Sequence, residues 1–325
     1  MVYRNDRLRI AITGANGFIG HKLVERMLLE GASVIAICGP DADLPTSPSE
    51  SWFSGRMPNK LQIVKHYNSH ENNEIKKLMG QVDVFCHLAA LSLVEEGDKN
   101  PEITFSINSE WTRNLYKSAA FAGVKRFIFT SSATIYGDNP LGIVSEESPC
   151  HPIGAYANSK YQAEKDLLLL SEAVQTNLTI LRLSHIYGPN QQFDHIIPSF
   201  IFNALNNGYI EIPAEGEENP VDDFVYIDDA IEVFKRVIEY RGNNLPQILN
   251  VSTGKATSLR ELGNNVLNEL KIENNIIFKQ GEKIWRRVLD CHLSNTVLGW
   301  NPTVDVESGL NKTSTWYLDN LAAIN

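Results

Sequence analysis

The feature that most restricts the fold is a glycine-rich turn between an apolar run and an amphipathic one. Residues 8–13 have the length and apolar character of a buried strand, and Gly14-Ala-Asn-Gly17-Phe-Ile-Gly20 follows directly. From residue 17 to residue 30, Phe18, Ile19, Leu23, Val24, Met27 and Leu28 recur at helical spacing. Glycine lets the backbone turn tightly and approach a pyrophosphate, and the helix start behind it offers free N–H groups and a partial positive charge. The spacing is GxxGxxG rather than the dinucleotide fingerprint GxGxxG. The three glycines therefore count as cofactor-binding candidates because of their place between a strand and a helix.

Further short apolar runs at Ser33–Cys38, 61–64, 82–86, 126–130 and 178–183 alternate with helical stretches. That alternation predicts an α/β protein with a doubly wound parallel sheet, covered on both faces. After Leu183 prolines interrupt the pattern and it becomes less regular. The division expected is a dinucleotide-binding domain over residues 1–182, with a return segment at 227–255, and a smaller α+β substrate domain over 183–325. Residues 40–58, rich in Pro, Ser and Asp, read as a long surface loop.

The 29 basic and 39 acidic residues give a net charge of −10, which argues against a nucleic-acid partner. No apolar run approaches the ~20 residues of a spanning helix, so no membrane partner is expected. Cys38, Cys86, Cys150 and Cys291 lie far apart without a CxxC pair, so no metal site is expected, and the setting expected is reducing and cytoplasmic.

Tyr156-Ala-Asn-Ser-Lys160 places a phenol and an ammonium four residues apart, on one helix face. An ammonium there is expected to stabilise phenolate, lowering the tyrosine pKa and making a base for an alcohol hydroxyl. Tyr161 and Lys165 repeat the spacing, but five residues along a helix is about 140° of rotation, so at most one pair faces a cofactor. Only the first follows a Thr130-Ser131-Ser132 strand end at a suitable distance. At the end of the second apolar run, where a ribose-binding acid is expected, stands Cys38-Gly39-Pro40. No arginine follows to hold a 2′-phosphate, and Asp41 and Asp43 would repel one. NAD is therefore favoured, with NADP left open.

Taken in order, TGANGFIG, His87-Leu-Ala-Ala90, Asn108, GVKRFIFTSSATIYG, YANSK, LRLSHIYGP, DDFVYIDDA and LGWNP resemble an extended short-chain dehydrogenase/reductase of the nucleotide-sugar epimerase/dehydratase type, over nearly the whole chain. The resemblance implies a Rossmann-type fold and a catalytic set of Ser132, Tyr156 and Lys160. It also implies cofactor contacts from Phe18, Ile19, Leu88, Ala89, Ala90, Asn108 and Thr130, with Asn68 near the adenine. Ser92, Ser132, Thr134 and Tyr156 would face the substrate. A homodimer, formed through helices around residues 107–122 and 155–174, is also implied.

Dehydratases of this family carry Asp-Glu after the catalytic hydroxyl. Here the pair is Ala133-Thr134, and SSATIYG is closest to the sugar 4-epimerases. The expected function is a redox-neutral epimerisation of a nucleotide-activated sugar through a transient 4-keto intermediate. A net reductase acting on a keto-sugar or another secondary alcohol shares every catalytic residue and stays open. A non-catalytic dinucleotide-binding protein is disfavoured because both Tyr156 and Lys160 are present. Three departures fall among the expected substrate anchors. His185 stands where the family has Asn, Asp222 where it often has Arg, and Lys279-Gln280-Gly281 replaces another Arg. His185 is a candidate contact to cofactor and substrate. Lys279, Lys283, Arg286 and Arg287 could replace the missing charge, with Arg287 the substrate-binding candidate, or could form a solvated patch.

Overall fold

The computed structural model describes residues 8–39, 60–65, 73–138, 142–242, 245–273, 275–282 and 284–324. Asn68, Lys283 and the whole of residues 40–58 lie outside them. The strands are β1 (Arg9–Thr13), β2 (Ser33–Cys38), β3 (Leu61–Lys65), β4 (Val84–His87), β5 (Arg126–Ser132), β6 (Asn177–Leu183), β7 (His185–Tyr187), β8 (Ile210–Ala214), β9 (Val221–Asp222), β10 (Phe224–Tyr226), β11 (Ile248–Val251), β12 (Thr257–Ser258) and β13 (Ile276–Gln280). The helices are α1 (Phe18–Leu29), α2 (Asn73–Met79), α3 (Val94–Lys99), α4 (Pro101–Phe105), α5 (Thr112–Phe121), α6 (Gly154–Ser171), α7 (Ile196–Asn207), α8 (Ile227–Glu239), α9 (Leu259–Glu269), α10 (His292–Leu298) and α11 (Val306–Ile324). A π-helical turn, Ser106–Trp111, leads into α5.

Seven strands form one parallel sheet in the order β11-β6-β5-β4-β1-β2-β3. From β1 the chain first builds outward through β2 and β3, then returns to lay β4 on the other side of β1. This reversal opens a crevice beyond the C-terminal ends of β1 and β4, where ligands bind in sheets of this kind. The strands lack an alternating polar face because helices cover both sides: β1, β2, β4 and β5 are buried almost throughout. On one side Phe85, Trp111, Tyr116, Phe127, Phe129 and Leu167 pack together, with the Phe85 and Phe127 rings stacked at 5.4 Å. Truncating such a buried phenylalanine to Ala costs about 3–5 kcal/mol. On the other side Arg26 of α1 pairs with Glu232 of α8 at 2.9 Å.

The chain divides into two compact units. The first comprises Met1–Ile135, Pro152–Arg182 and Ile231–Leu249, and the second Tyr136–His151, Leu183–Ala230 and Asn250–Asn325. Within the second, β7 and β10 pair in parallel, as do β8 and β13, while β9 and β12 are antiparallel. Asp229 ties the α8 start to the chain before α11, accepting from Thr303 N, Thr303 Oγ1 and Val304 N at 2.7–2.9 Å. Among the described residues no helix is long and apolar enough to cross a membrane.

Candidate active site

The turn between β1 and α1 is shaped by what a side chain would strike. Gly14 has φ +66°, and a Cβ there would lie 2.8 Å from the Ala89 nitrogen, in the loop after β4. A Cβ on Gly20 would come within 2.0 Å of the Gly14 carbonyl oxygen. Gly20 thus lets the first turn of α1 press against the glycine loop. His21 N is bonded back to Gly17 O, while the earlier N–H groups of the helix start have no intrahelical acceptor. The first turn carries no acidic side chain. Asn16 fastens the loop to the end of β2, its Oδ1 accepting from Gly39 N at 3.2 Å.

Behind this loop a buried histidine organises the crevice wall. Thr112 Oγ1 donates to the Asn108 carbonyl at 2.8 Å, so toward His87 Nε2, also at 2.8 Å, it can only accept. His87 is therefore protonated on Nε2, and its Nδ1 accepts from Thr13 Oγ1 at 2.7 Å. Thr13 Oγ1 in turn accepts from Leu88 N and Ala89 N at 3.2 and 3.3 Å. Burial, with the nearby Lys160 charge, pushes the His87 pKa well below its usual value, in keeping with a neutral ring. The ring's polar bonds thus reach from β1 and the loop after β4 to α5 and the π-helical turn.

Ser132 ends β5, and Tyr156 and Lys160 lie one turn apart on α6. Ser132 Oγ accepts from Thr134 Oγ1 at 2.9 Å and from Thr134 N at 3.2 Å. Both its acceptor positions are taken, so its own proton is directed to Tyr156, with which it is hydrogen-bonded. Lys160 is buried, donates to the Thr130 carbonyl at 2.8 Å and sits 4.8 Å from the Phe129 ring centre. Burial pushes its pKa down to about 7, with Glu164 one turn further along pulling the other way. The expected lowering of Tyr156 by Lys160 is not what the structure gives. Burial pushes Tyr156 up, and the bond from Ser132 opposes it; Lys160 Nζ is bonded to the Thr130 carbonyl. Lys165 of the competing pair sits over the ring of its own Tyr161 at 4.9 Å.

The other candidates divide clearly. Leu88, Ala89 and Ala90 are half-buried after β4, Ser92 is exposed, and Thr130 Oγ1 donates to His87 O at 3.0 Å. Asn108, expected at the cofactor, has a fully buried side chain. Its Oδ1 accepts from Leu91 N, while Nδ2 donates to Leu91 O and Ser159 Oγ. It holds the loop after β4. The Thr134 hydroxyl, expected at the substrate, is committed to Ser132. The Cys38 thiol is buried at the end of β2, and burial pushes its pKa up to about 11. In the second unit Arg287 is neither a free anchor nor part of a solvated patch: it is buried, with NH2 3.2 Å from Asp222. Lys279 is paired with Glu211 at 2.6 Å. His185 Nδ1 lies 3.0 Å from Asp222.

The glycine cradle, the open helix start and a buried Ser131 hydroxyl without a partner at the end of β5 fit a dinucleotide. Sequence reasoning missed Thr13, Thr112, Glu164 and Arg182, which act on the site only through other residues. Glu164 and Arg182 form a buried pair at 2.7 Å.

The chain is similar to known proteins along almost its full length. A UDP-glucose 4-epimerase of Mycolicibacterium smegmatis is 28% identical over 95% of this chain and 98% of its own. The solved structure of UDP-glucose 4-epimerase from Thermotoga maritima, with UDP-glucose, superposes with a TM-score of 0.85 at 24% identity, covering 97% of this chain and all of that one. That of UDP-glucuronic acid 4-epimerase from Bacillus cereus, with UDP-glucuronic acid and NAD, gives 0.84 at 23% identity, covering 96% and 99%. The model of the NAD dependent epimerase/dehydratase family matches residues 10–252, and the chain belongs to that family.

Proposed function

We propose that the protein is an NAD-dependent 4-epimerase of a nucleotide-activated sugar. The observation that carries this reading is the aimed proton of Ser132. With Thr134 filling both acceptor positions, Ser132 can only donate, and its one proton goes to Tyr156 or to an oxygen placed beside it. Such a pair removes a proton from a secondary hydroxyl and hydrogen-bonds the carbonyl oxygen that results. Bound NAD supplies the acceptor for the carbinol hydrogen, which it later returns. Lys160, buried and poised near neutrality, provides a charge beside the tyrosine. Ala133 and Thr134 stand where elimination of water would need carboxylates, which supports proton and hydride exchange alone.

In this reading the cofactor is held by residues 1–182 with the return segment 227–255, through the Gly14–Gly20 turn and the loop from Leu88 to Ala90. Residues 183–325 supply most substrate contacts, His185 among them. The M. smegmatis relative points to a UDP-sugar. The test is incubation with UDP-glucose or UDP-galactose without added reductant. The expected outcome is interconversion with no net change at the reduced-nicotinamide absorbance. A stoichiometric absorbance change with a reduced or oxidised sugar would show a net reductase instead. Exposed Phe121 on α5 and Leu169 on α6 support a homodimer through these helices, which sedimentation at micromolar concentration checks. Four free thiols fit a cytoplasmic setting.

A further inference from the structure

At the end of the parallel sheet away from the crevice lies a cavity of about 140 Å³. Its walls come from the starts of β5 and β6, the end of α6 and the chain before β11, all within the first unit. Ser132, at the far end of β5, is about 20 Å away by the rise of a strand. Arg126 opens β5 and stands in the cavity wall, only 8% exposed. Ser171, Gln175, Asn177 and Gln247 add neutral polar groups to the lining, Gln247 donating to Ser171 Oγ at 2.9 Å.

Arg126 uses only part of its guanidinium. Nη1 donates to the Val237 carbonyl near the end of α8, and the Tyr240 ring centre lies 5.8 Å from Cζ. Nε is buried and has no hydrogen-bond partner among the described residues. Nε and Nη2 together make an edge of the fork that grips a carboxylate with two parallel bonds. Arg182 shows that edge in use, since its Nε and Nη2 both donate to the buried Glu164 carboxylate. Arg126 has no such acid beside it among the described residues. Burial, with the nearby Arg241 charge, works against its own charge, and the groups that oppose them are the Tyr240 phenol and the Cys86 thiol. Buried charges are otherwise paired, as Arg182 is, because an unpaired one keeps the cost of its lost hydration.

We propose that this cavity is a binding site for a small monocarboxylate, which accepts hydrogen bonds from the Arg126 guanidinium and from the amides along the wall. The charge balance sets the class of ligand. One buried guanidinium in an otherwise neutral lining matches a single negative charge, whereas a phosphate dianion would leave a charge buried and unpaired. The volume, well under the roughly 300–1,000 Å³ of drug- and cofactor-sized pockets, suits an acid of a few carbon atoms. The site lies apart from the catalytic crevice and does not depend on which sugar reacts there.

The test reads the Nε–H signals of 15N-arginine-labelled holoenzyme by NMR during titration with sodium propionate, with ionic strength held constant by sodium chloride. The Arg126 signal is identified by its loss in Arg126→Lys and by its displacement in Tyr240→Leu, which removes the ring beside it. It is expected to move and to saturate, while the signal of Arg182, whose edge Glu164 fills, stays in place. An unsaturated drift, no movement, or equal movement of both signals overturns the proposal. Inorganic phosphate at the same ionic strength is expected to bind at least about tenfold more weakly than propionate; equal or tighter binding of phosphate overturns the carboxylate class. Gln175 is an exposed part of the wall, so Gln175→Glu is expected to leave the fold intact. The added like charge should weaken propionate binding at least about fivefold, and an unchanged affinity overturns the placing of the ligand in this cavity.

Discussion

The Glu164 carboxylate lies 2.7 Å from the Arg182 guanidinium, with neither side chain more than 4% exposed. Arg182 Nε also donates to Glu164 Oε1 at 3.1 Å, so the pair is two-pronged. It joins α6, which carries Tyr156 and Lys160, to β6. Removing one partner strands a buried charge, at a cost of about 3–5 kcal/mol. Glu164→Gln should show that loss in denaturant unfolding. The double substitution Glu164→Met with Arg182→Met should lose much less. A loss in the double variant as large as in the single one would show that packing, not the ion pair, holds α6 here.

The Ser132–Thr134 relation makes a graded prediction. Ser132→Ala removes the aimed donor and should lower kcat by about 10²–10³-fold. Thr134→Val keeps the Ser132 hydroxyl but lets its proton turn elsewhere, so kcat should fall on the order of tenfold with KM little changed. Tyr156→Phe should abolish turnover while leaving NAD bound. Steady-state kinetics beside calorimetric NAD binding checks all three.

Lys160 gives a pH prediction whose sign is set by burial. Its pKa is about 7 in the folded protein, against the ordinary lysine value of 10.5. Between those values the unfolded chain holds a proton that the folded one does not. Stability from this group therefore rises as pH climbs from about 7 to about 10.5, and the full burial penalty applies below that window. In protein freed of cofactor, Lys160→Met should be stabilising relative to wild type, and more so at pH 6 than at pH 9. Denaturant midpoints at the two pH values test this, and an advantage that grows toward pH 9 would contradict it.

Gly20→Ala tests the cradle. Its new Cβ would meet the Gly14 carbonyl oxygen at 2.0 Å, a backbone atom with little freedom to move away. The helix start must back off from the loop, and NAD affinity should fall by at least about tenfold by calorimetry, with helix content retained in circular dichroism. An unchanged affinity would mean that the loop does not depend on this close approach.

Much of the fold was legible because strand and helix periods are local. The runs read as strands at 33–38, 61–64, 82–86, 126–130 and 178–183 correspond to β2 to β6, with ends that differ by no more than two residues. The 107–122 helix was only partly legible. Its first turn is π-helical, and hydrophobic spacing does not register the extra residue that turns Asn108 toward Leu91. Among the site residues, Gly14, Ser132, Tyr156 and Lys160 could be read from type and order. Thr13, Thr112 and Arg182 could not, since each is an ordinary residue that acquires a role only through a partner remote in the chain.

The sequence by itself determined the element order, the glycine turn and the catalytic residue types, because these follow from backbone sterics and short-range periodicity. Only the tertiary structure decided what each polar group is bonded to. It placed Thr134 on Ser132, Lys160 on Thr130, and Asp222 on both His185 and Arg287. Proton direction and charge at a buried site depend on contacts across the fold, and burial magnifies them where water no longer screens.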